Sequence, residues 1–400
     1  MRELSNYLQN MRVSSIRKLT SYSDAAKKKG KKVYHLNIGQ PDLETPLSYY
    51  DYIRKYNDKV IAYMPSEGVY ELRDEIAKYY KKFKADFTAD DVIITTGGTE
   101  GFMFSLMSIT NPSDEILLTE PYYSNYNVVL NECKVNPTPV LTKVDNNFRF
   151  TKEDLENKIT EKTQIILVTN PGNPTGAVLS DDEINAICEV AIENDLYIIS
   201  DEVYREIVFD GRKTFSFGSR KDIEDRLIII DSISKRFSAC GARIGMAITK
   251  NSKIKKLLIK LCQGRLAVST IEQQGAIGLY KFAKDMPEFV RDEFEKRRNL
   301  AYEILSKEKD IICSKSEGAF YDIIKIPIPN AEEFLIWMLE DFEVDGETVM
   351  AAPASGFYAT KGHGKNEIRI AYVLEEKKLK RALEILLKGL RIYSERINNE

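Results

Sequence analysis

Histidine is almost missing from this sequence. Only His35 and His363 occur in 400 residues, and neither adjoins a serine or cysteine. A Ser-His-Asp hydrolase or a histidine-rich metal site is therefore hard to build. His363 stands between two glycines and reads as a surface turn residue. Cysteine is scarce too: Cys133, Cys188, Cys240, Cys262 and Cys313 are scattered with no CxxC pair, which argues against a disulfide framework or a zinc site. A reducing cytoplasm is the expected compartment, and no metal is expected. Excess positive charge is also lacking, with 58 Lys and Arg against 61 Asp and Glu and a net charge of −3. Nothing in that balance holds nucleic acid phosphates, so no nucleic acid partner is expected. Residues 1–10 contain no continuous apolar stretch. No later run approaches the roughly 18 apolar residues needed to cross a bilayer, so neither a secretory signal nor a membrane partner is expected.

Four hundred residues exceed one typical core, which predicts a large domain and a smaller one. Between about residues 90 and 250, short β-branched runs alternate with helical patterns: DVIITTGG, EILLTEP, TQIILVTNP, LYIISDEVY, RLIIIDSIS and RIGMAIT. This rhythm predicts an α/β fold, a mostly parallel sheet sandwiched by helices. Several runs end in polar or Gly-rich segments, and ligands of such sheets bind at the carboxyl ends of strands. After about residue 280 come an amphipathic helix, AFYDIIKI, EIRIAYV and a final amphipathic helix, the pattern of a smaller α+β domain. We place the large domain at 46–285 and the small one at 1–45 plus 286–400. The basic clusters at Lys27–Lys32 and Lys377–Arg381 read as solvated faces.

The most informative segment is DSISKRFSACGARIG, residues 231–245, directly after an apolar run. A lysine amine such as Lys235 forms an imine with an aldehyde cofactor when its site disfavours the ammonium. Arg243, eight residues on, can return toward the same strand end to bind a phosphate, with Ser232 adding a hydroxyl. By composition alone Lys235 is simply an exposed lysine.

With NPGNPTG and SDEVY upstream, this segment resembles the class I/II aminotransferases of pyridoxal-phosphate (PLP) fold type I, the aspartate aminotransferase relatives. The likeness runs from about Ile16 to the final helix. It implies a PLP enzyme in which Lys235 is both covalent anchor and general acid/base. Asp201 of SDEVY matches the aspartate that keeps the pyridine nitrogen protonated; without the likeness it would be a helix N-cap. Tyr204 and Asn173 match the groups that bond the cofactor's phenolate oxygen. Gly98 and Thr99 match the phosphate cradle at a helix start, joined by Ser232 and Arg243. Tyr123 matches the aromatic that stacks on the pyridine ring, with Tyr122 as the alternative register. Arg369 of EIRIAYV matches the arginine that grips the substrate α-carboxylate; its bland reading is a cross-strand ion pair. Gly39 of LNIGQPD matches the glycine whose backbone approaches that carboxylate, and Asn173 belongs to the same substrate set. Tyr63 matches a tyrosine that crosses to a neighbouring subunit's cofactor phosphate, which implies a homodimer with shared sites. Arg236 and Cys240 depart from the pattern without disturbing these roles.

The implied partners are an amino acid and a 2-oxo acid, with aspartate and 2-oxoglutarate the leading pair. Aromatic amino acids, alanine and methionine stay open as donors, because no motif identifies a reader of the side chain. A carbon–sulfur β-lyase or an aminocyclopropane-carboxylate synthase would use nearly the same cofactor shell. A PLP-sensing regulator would need a separate DNA-binding domain, for which the motif-bearing region leaves no space.

Overall fold

The computed structural model describes Leu4, Gln9 and residues 14–399. Among them the first eight strands are β1 (Lys32–His35), β2 (Val92–Thr95), β3 (Glu115–Glu120), β4 (Asn136–Leu141), β5 (Thr163–Thr169), β6 (Tyr197–Asp201), β7 (Leu227–Ser232) and β8 (Gly245–Ile248). Seven form one sheet in the order β2-β8-β7-β6-β5-β3-β4. Its inner strands are nearly all apolar because successive side chains point to opposite faces and both faces are covered. Along β5, Ile165 and Leu167 pack with Ile199, Ile228 and Ile230. Ile166 and Val168 join Ile198 and Ile229 on the other side.

Two features of this sheet go beyond the sequence pattern. Strand β8 runs antiparallel to both β2 and β7. Strand β4, NPTPVL, carries two prolines that hide it from a propensity reading. It is tolerated because it lies at the edge and pairs only with β3.

The remaining strands are β9 (Ile312–Cys313), β10 (Tyr321–Lys325), β11 (Glu347–Met350), β12 (Ala352–Pro353) and β13 (Glu367–Ala371). β12, β13, β10 and β9 make an antiparallel sheet, and β1 pairs in parallel with β11. The helix Met286–Leu305 buries Val290, Phe294, Arg297, Arg298, Ala301 and Leu305, a stripe at three- and four-residue spacing. The last helix, Glu376–Asn399, buries Leu379, Leu383, Leu386 and Leu390 in the same core. Lys32 and Arg381, one from each basic cluster, both pair with Glu347. His363 sits in a turn, half-buried, with its ring stacked 5.9 Å from that of Tyr358.

Candidate active site

The carboxyl ends of β2, β5, β6 and β7 deliver the Thr96–Thr99 turn, Asn170–Gly176, Asp201 and Ser232 to one edge of the large sheet. The antiparallel β8 explains how Arg243 joins them. Gly245 is in register with both Ser232 and Thr95, so the chain re-enters the sheet where it left it. The connection at 233–244 carries Lys235 and Arg243 over a cavity of about 630 Å³. Gly39, Gly98, Thr99, Tyr123, Asn173, Asp201, Tyr204, Ser232, Lys235, Arg243 and Arg369 all line it.

Lys235 is half-buried, and its Nζ donates to the Gly39 carbonyl at 2.8 Å and lies 3.7 Å from Cys240 Sγ. Burial pushes its amine below the ordinary lysine range, with the charges of Arg243 and Arg369 acting in the same direction. The neutral, nucleophilic amine is thereby favoured. Gly39 could be no other residue in this conformation: a Cβ there would lie 1.6 Å from Tyr321 Oη.

Asp201 ends β6, and Thr169 is its register partner on β5, so both side chains face the same way. Tyr126 reaches across the pair, donating to Asp201 Oδ2 at 2.5 Å with Thr169 Oγ1 at 2.9 Å. The Val203 N–H donates to Asp201 Oδ1 at 3.2 Å. Desolvation still dominates and holds the carboxyl at about 6, against these two donors.

Arg369, on β13, is fully buried with Tyr321 stacked 4.5 Å from its guanidinium carbon. Its Nη1 donates to Asn173 Oδ1 at 3.1 Å and its Nη2 to the Asn37 carbonyl, while its Nε has no partner among the described residues. A buried guanidinium with only neutral acceptors is costly until an anion reaches it. Opposite, Gly97 holds φ at +77°, and a Cβ there would lie 2.4 Å from Arg243 Nη2. The Arg243 guanidinium thus rests against the start of helix Gly98–Ile109, whose first N–H groups have no intrahelical acceptor.

Two further residues from the sequence reading lie elsewhere. Tyr122 is buried away from the cavity with its hydroxyl on Asn127, so of the two tyrosines Tyr123 is the one that lines it. Tyr63 is 81% exposed and outside the cavity, close in sequence to exposed Val60 and Ile61. Sequence reasoning missed the supporting groups. Tyr321 packs on Gly39 and Arg369 and shares a 2.9 Å hydrogen bond with Tyr204. Asn37 ties Arg369 to the N-terminal turn, its Nδ2 donating to the Ile16 carbonyl at 2.7 Å. Tyr126 alone carried a signal, lying three residues beyond Tyr123 in one aromatic cluster.

Comparison with known proteins shows the family and the fold. The family model for aminotransferase class I and II matches residues 31–386. An aspartate aminotransferase from Bacillus subtilis is 31% identical over 393 residues, covering 93% of this chain and 96% of that protein. A (5-formylfuran-3-yl)methyl phosphate transaminase from Methanocaldococcus jannaschii is 33% identical over 389 residues, with 95% and 98% covered. The solved alanine aminotransferase from Pyrococcus furiosus superposes with a TM-score of 0.89 at 28% identity, covering 97% of this chain and all of that one.

Proposed function

The chain belongs to the class I and II aminotransferases, and from that premise we propose that it moves the amino group of L-aspartate to 2-oxoglutarate using PLP held in the cavity above Lys235. The observation that carries this reading is the convergence of Lys235, Asp201 and Arg369 on one cavity from three separate elements.

The side chains present suit the cofactor. The opening kept by Gly97, the start of helix Gly98–Ile109, the Ser232 hydroxyl and Arg243 form an anion site for its phosphate. Asp201, the one carboxylate among the described lining residues, would hold a proton at the pyridine nitrogen. Tyr204 and Asn173 would bond the phenolate oxygen, and Tyr123 would cover the ring face. When bound, PLP supplies an electron sink that allows a substrate α-carbon to give up its proton.

The protein's own part is to place and move that proton. Arg369 grips the α-carboxylate with its free edge, aided by the Gly39 backbone, and so orients the α-carbon. The Lys235 amine takes the proton from that carbon as general base and would deliver it, as general acid, to the carbon of the cofactor that carried the aldehyde. Tyr321, packed against both Gly39 and the Arg369 guanidinium, fixes the two carboxylate-binding groups relative to each other.

Exposed Val60, Ile61 and Tyr63 support pairing of two copies, with Tyr63 reaching the partner's phosphate site. A second reading, a donor with an apolar side chain, is favoured by Ile16, Ile38, Phe102 and Val129 in the cavity wall. The test is to supply PLP-loaded protein with 2-oxoglutarate and L-aspartate, L-alanine, L-phenylalanine or L-methionine in turn, and to measure glutamate. Aspartate-dependent glutamate, lost in Lys235→Ala, is the expected result. Fastest turnover of an apolar donor would select the second reading, and ammonia, pyruvate and a thiol from added L-cystathionine, with no glutamate from any donor, would select a lyase.

A further inference from the structure

Among the described residues four cationic side chains line the cavity, Arg17, Lys235, Arg243 and Arg369, against the single carboxylate of Asp201. The proposed reaction employs three of them: the Lys235 amine in proton transfer, Arg243 at a phosphate and Arg369 at the α-carboxylate. Arg17 is left over. Its side chain is exposed, and among the described residues no carboxylate pairs with it.

The turn that bears Arg17 is nevertheless well held. The Arg17 N–H donates to the Ser14 carbonyl and the Arg17 carbonyl accepts from Thr20 N–H, both at 3.0 Å. Ser15 and Leu19 on either side are buried. Asn37 donates to the Ile16 carbonyl at 2.7 Å while its own carbonyl accepts from Arg369, so one residue couples the Arg17 turn to the buried arginine. Tyr123 reports the same convergence: burial pushes its phenol up, while Arg369, Arg243 and Arg17 together pull it down.

We propose that Arg17 is a specificity-determining residue that reads a second anionic group on the substrate, the distal carboxylate of a dicarboxylic amino or oxo acid whose α-carboxylate lies on Arg369. The proposal rests on the aminotransferase reading above. A guanidinium presents a planar fork that matches a carboxylate with two hydrogen bonds. A donor with an apolar side chain offers Arg17 no acceptor, so the exposed guanidinium keeps its water. Discrimination then comes from the charge-assisted hydrogen bonds that only a second anionic group forms with the fork.

The experiment measures kcat/KM of the PLP-loaded enzyme for L-aspartate, L-glutamate, O-phospho-L-serine and L-alanine, in the parent, Arg17→Met, Arg17→Lys and the control Lys18→Met. The aspartate-to-alanine ratio is expected to fall by about 30- to 100-fold in Arg17→Met. Partial recovery is expected in Arg17→Lys, with the ratio kept in Lys18→Met. Weaker binding of succinate, an unreactive dicarboxylate, to Arg17→Met should follow the same order by calorimetry. A ratio that moves less than about threefold, or a parent enzyme that prefers alanine, overturns the role of Arg17 while leaving the aminotransferase reading in place. A preference for phosphoserine lost in Arg17→Met keeps the second-anion site and replaces the carboxylate by a phosphate. Transfer from no amino acid overturns the aminotransferase reading itself.

Discussion

Tyr126 donates its hydroxyl hydrogen to Asp201 at 2.5 Å, within a cavity where desolvation holds that carboxyl at about 6. The bond favours the ionised form, so the tyrosine opposes what burial does to the aspartate. The proposed role of Asp201 as a carboxylate beside the pyridine nitrogen depends on which of the two prevails at neutral pH.

Replacing Tyr126 by Phe should therefore raise the Asp201 pKa further. The acid limb of the kcat/KM profile is expected to move to higher pH by about one unit, the worth of one hydrogen bond to a charged group. Stability has a defined sign. The folded pKa near 6 exceeds the unfolded value of 3.8, so ionising Asp201 opposes folding, at no cost below about pH 4 and at full cost above about pH 6. Tyr126→Phe should enlarge that cost, so its melting temperature relative to parent apoprotein should be lower at pH 7.5 than at pH 4.5. An acid limb that does not move would show that the hydroxyl does not govern Asp201.

Gly97→Ala tests the proposed phosphate site separately from the chemistry. Alanine at φ +77° is strained, and its Cβ would displace the Arg243 guanidinium. PLP affinity, followed by fluorescence titration of the apoprotein, is expected to weaken at least tenfold, for a folding cost of about 1–2 kcal/mol. Unaltered affinity would place the phosphate elsewhere.

Asp231 lies under the Lys235 loop and accepts from Tyr80 at 2.7 Å, from Arg205 at 3.2 Å and from Arg236, with all four side chains buried. Asp231→Asn keeps the shape but leaves two buried guanidinium groups short of a counter-charge. Urea denaturation should show a loss of about 3–5 kcal/mol, the usual consequence of breaking a buried pair from one side. A loss below about 1 kcal/mol would mean that Glu202 and Glu206, which also pair with these arginines, neutralise them alone.

Much of the fold was legible because burial on both faces of the sheet leaves nearly all-apolar runs, which β3, β5, β6 and β7 display in full. β4 was not legible, since Pro137 and Pro139 suit only an edge and edge position is a property of the assembled sheet. The direction of β8 was hidden for a similar reason, because GMAI reads alike either way. Arg236 read as a harmless departure from pattern; in the structure it is buried and paired with Asp231 and Glu206.

What the sequence by itself determined was chemistry that sits within short stretches of chain: the amine of Lys235 after a buried strand, the carboxylate of Asp201 at another strand's end, and the turn at Gly97 and Gly98. Residues a few positions apart share a local geometry that their types constrain, so the likeness in these segments could be read directly. Only the tertiary structure decided which of Tyr122 and Tyr123 lines the cavity, that Tyr126 spans Thr169 and Asp201, and that Asn37 couples Arg369 to the turn carrying Arg17. Those contacts join residues tens to hundreds of positions apart. Their existence depends on how whole layers pack, which no local pattern of residues encodes.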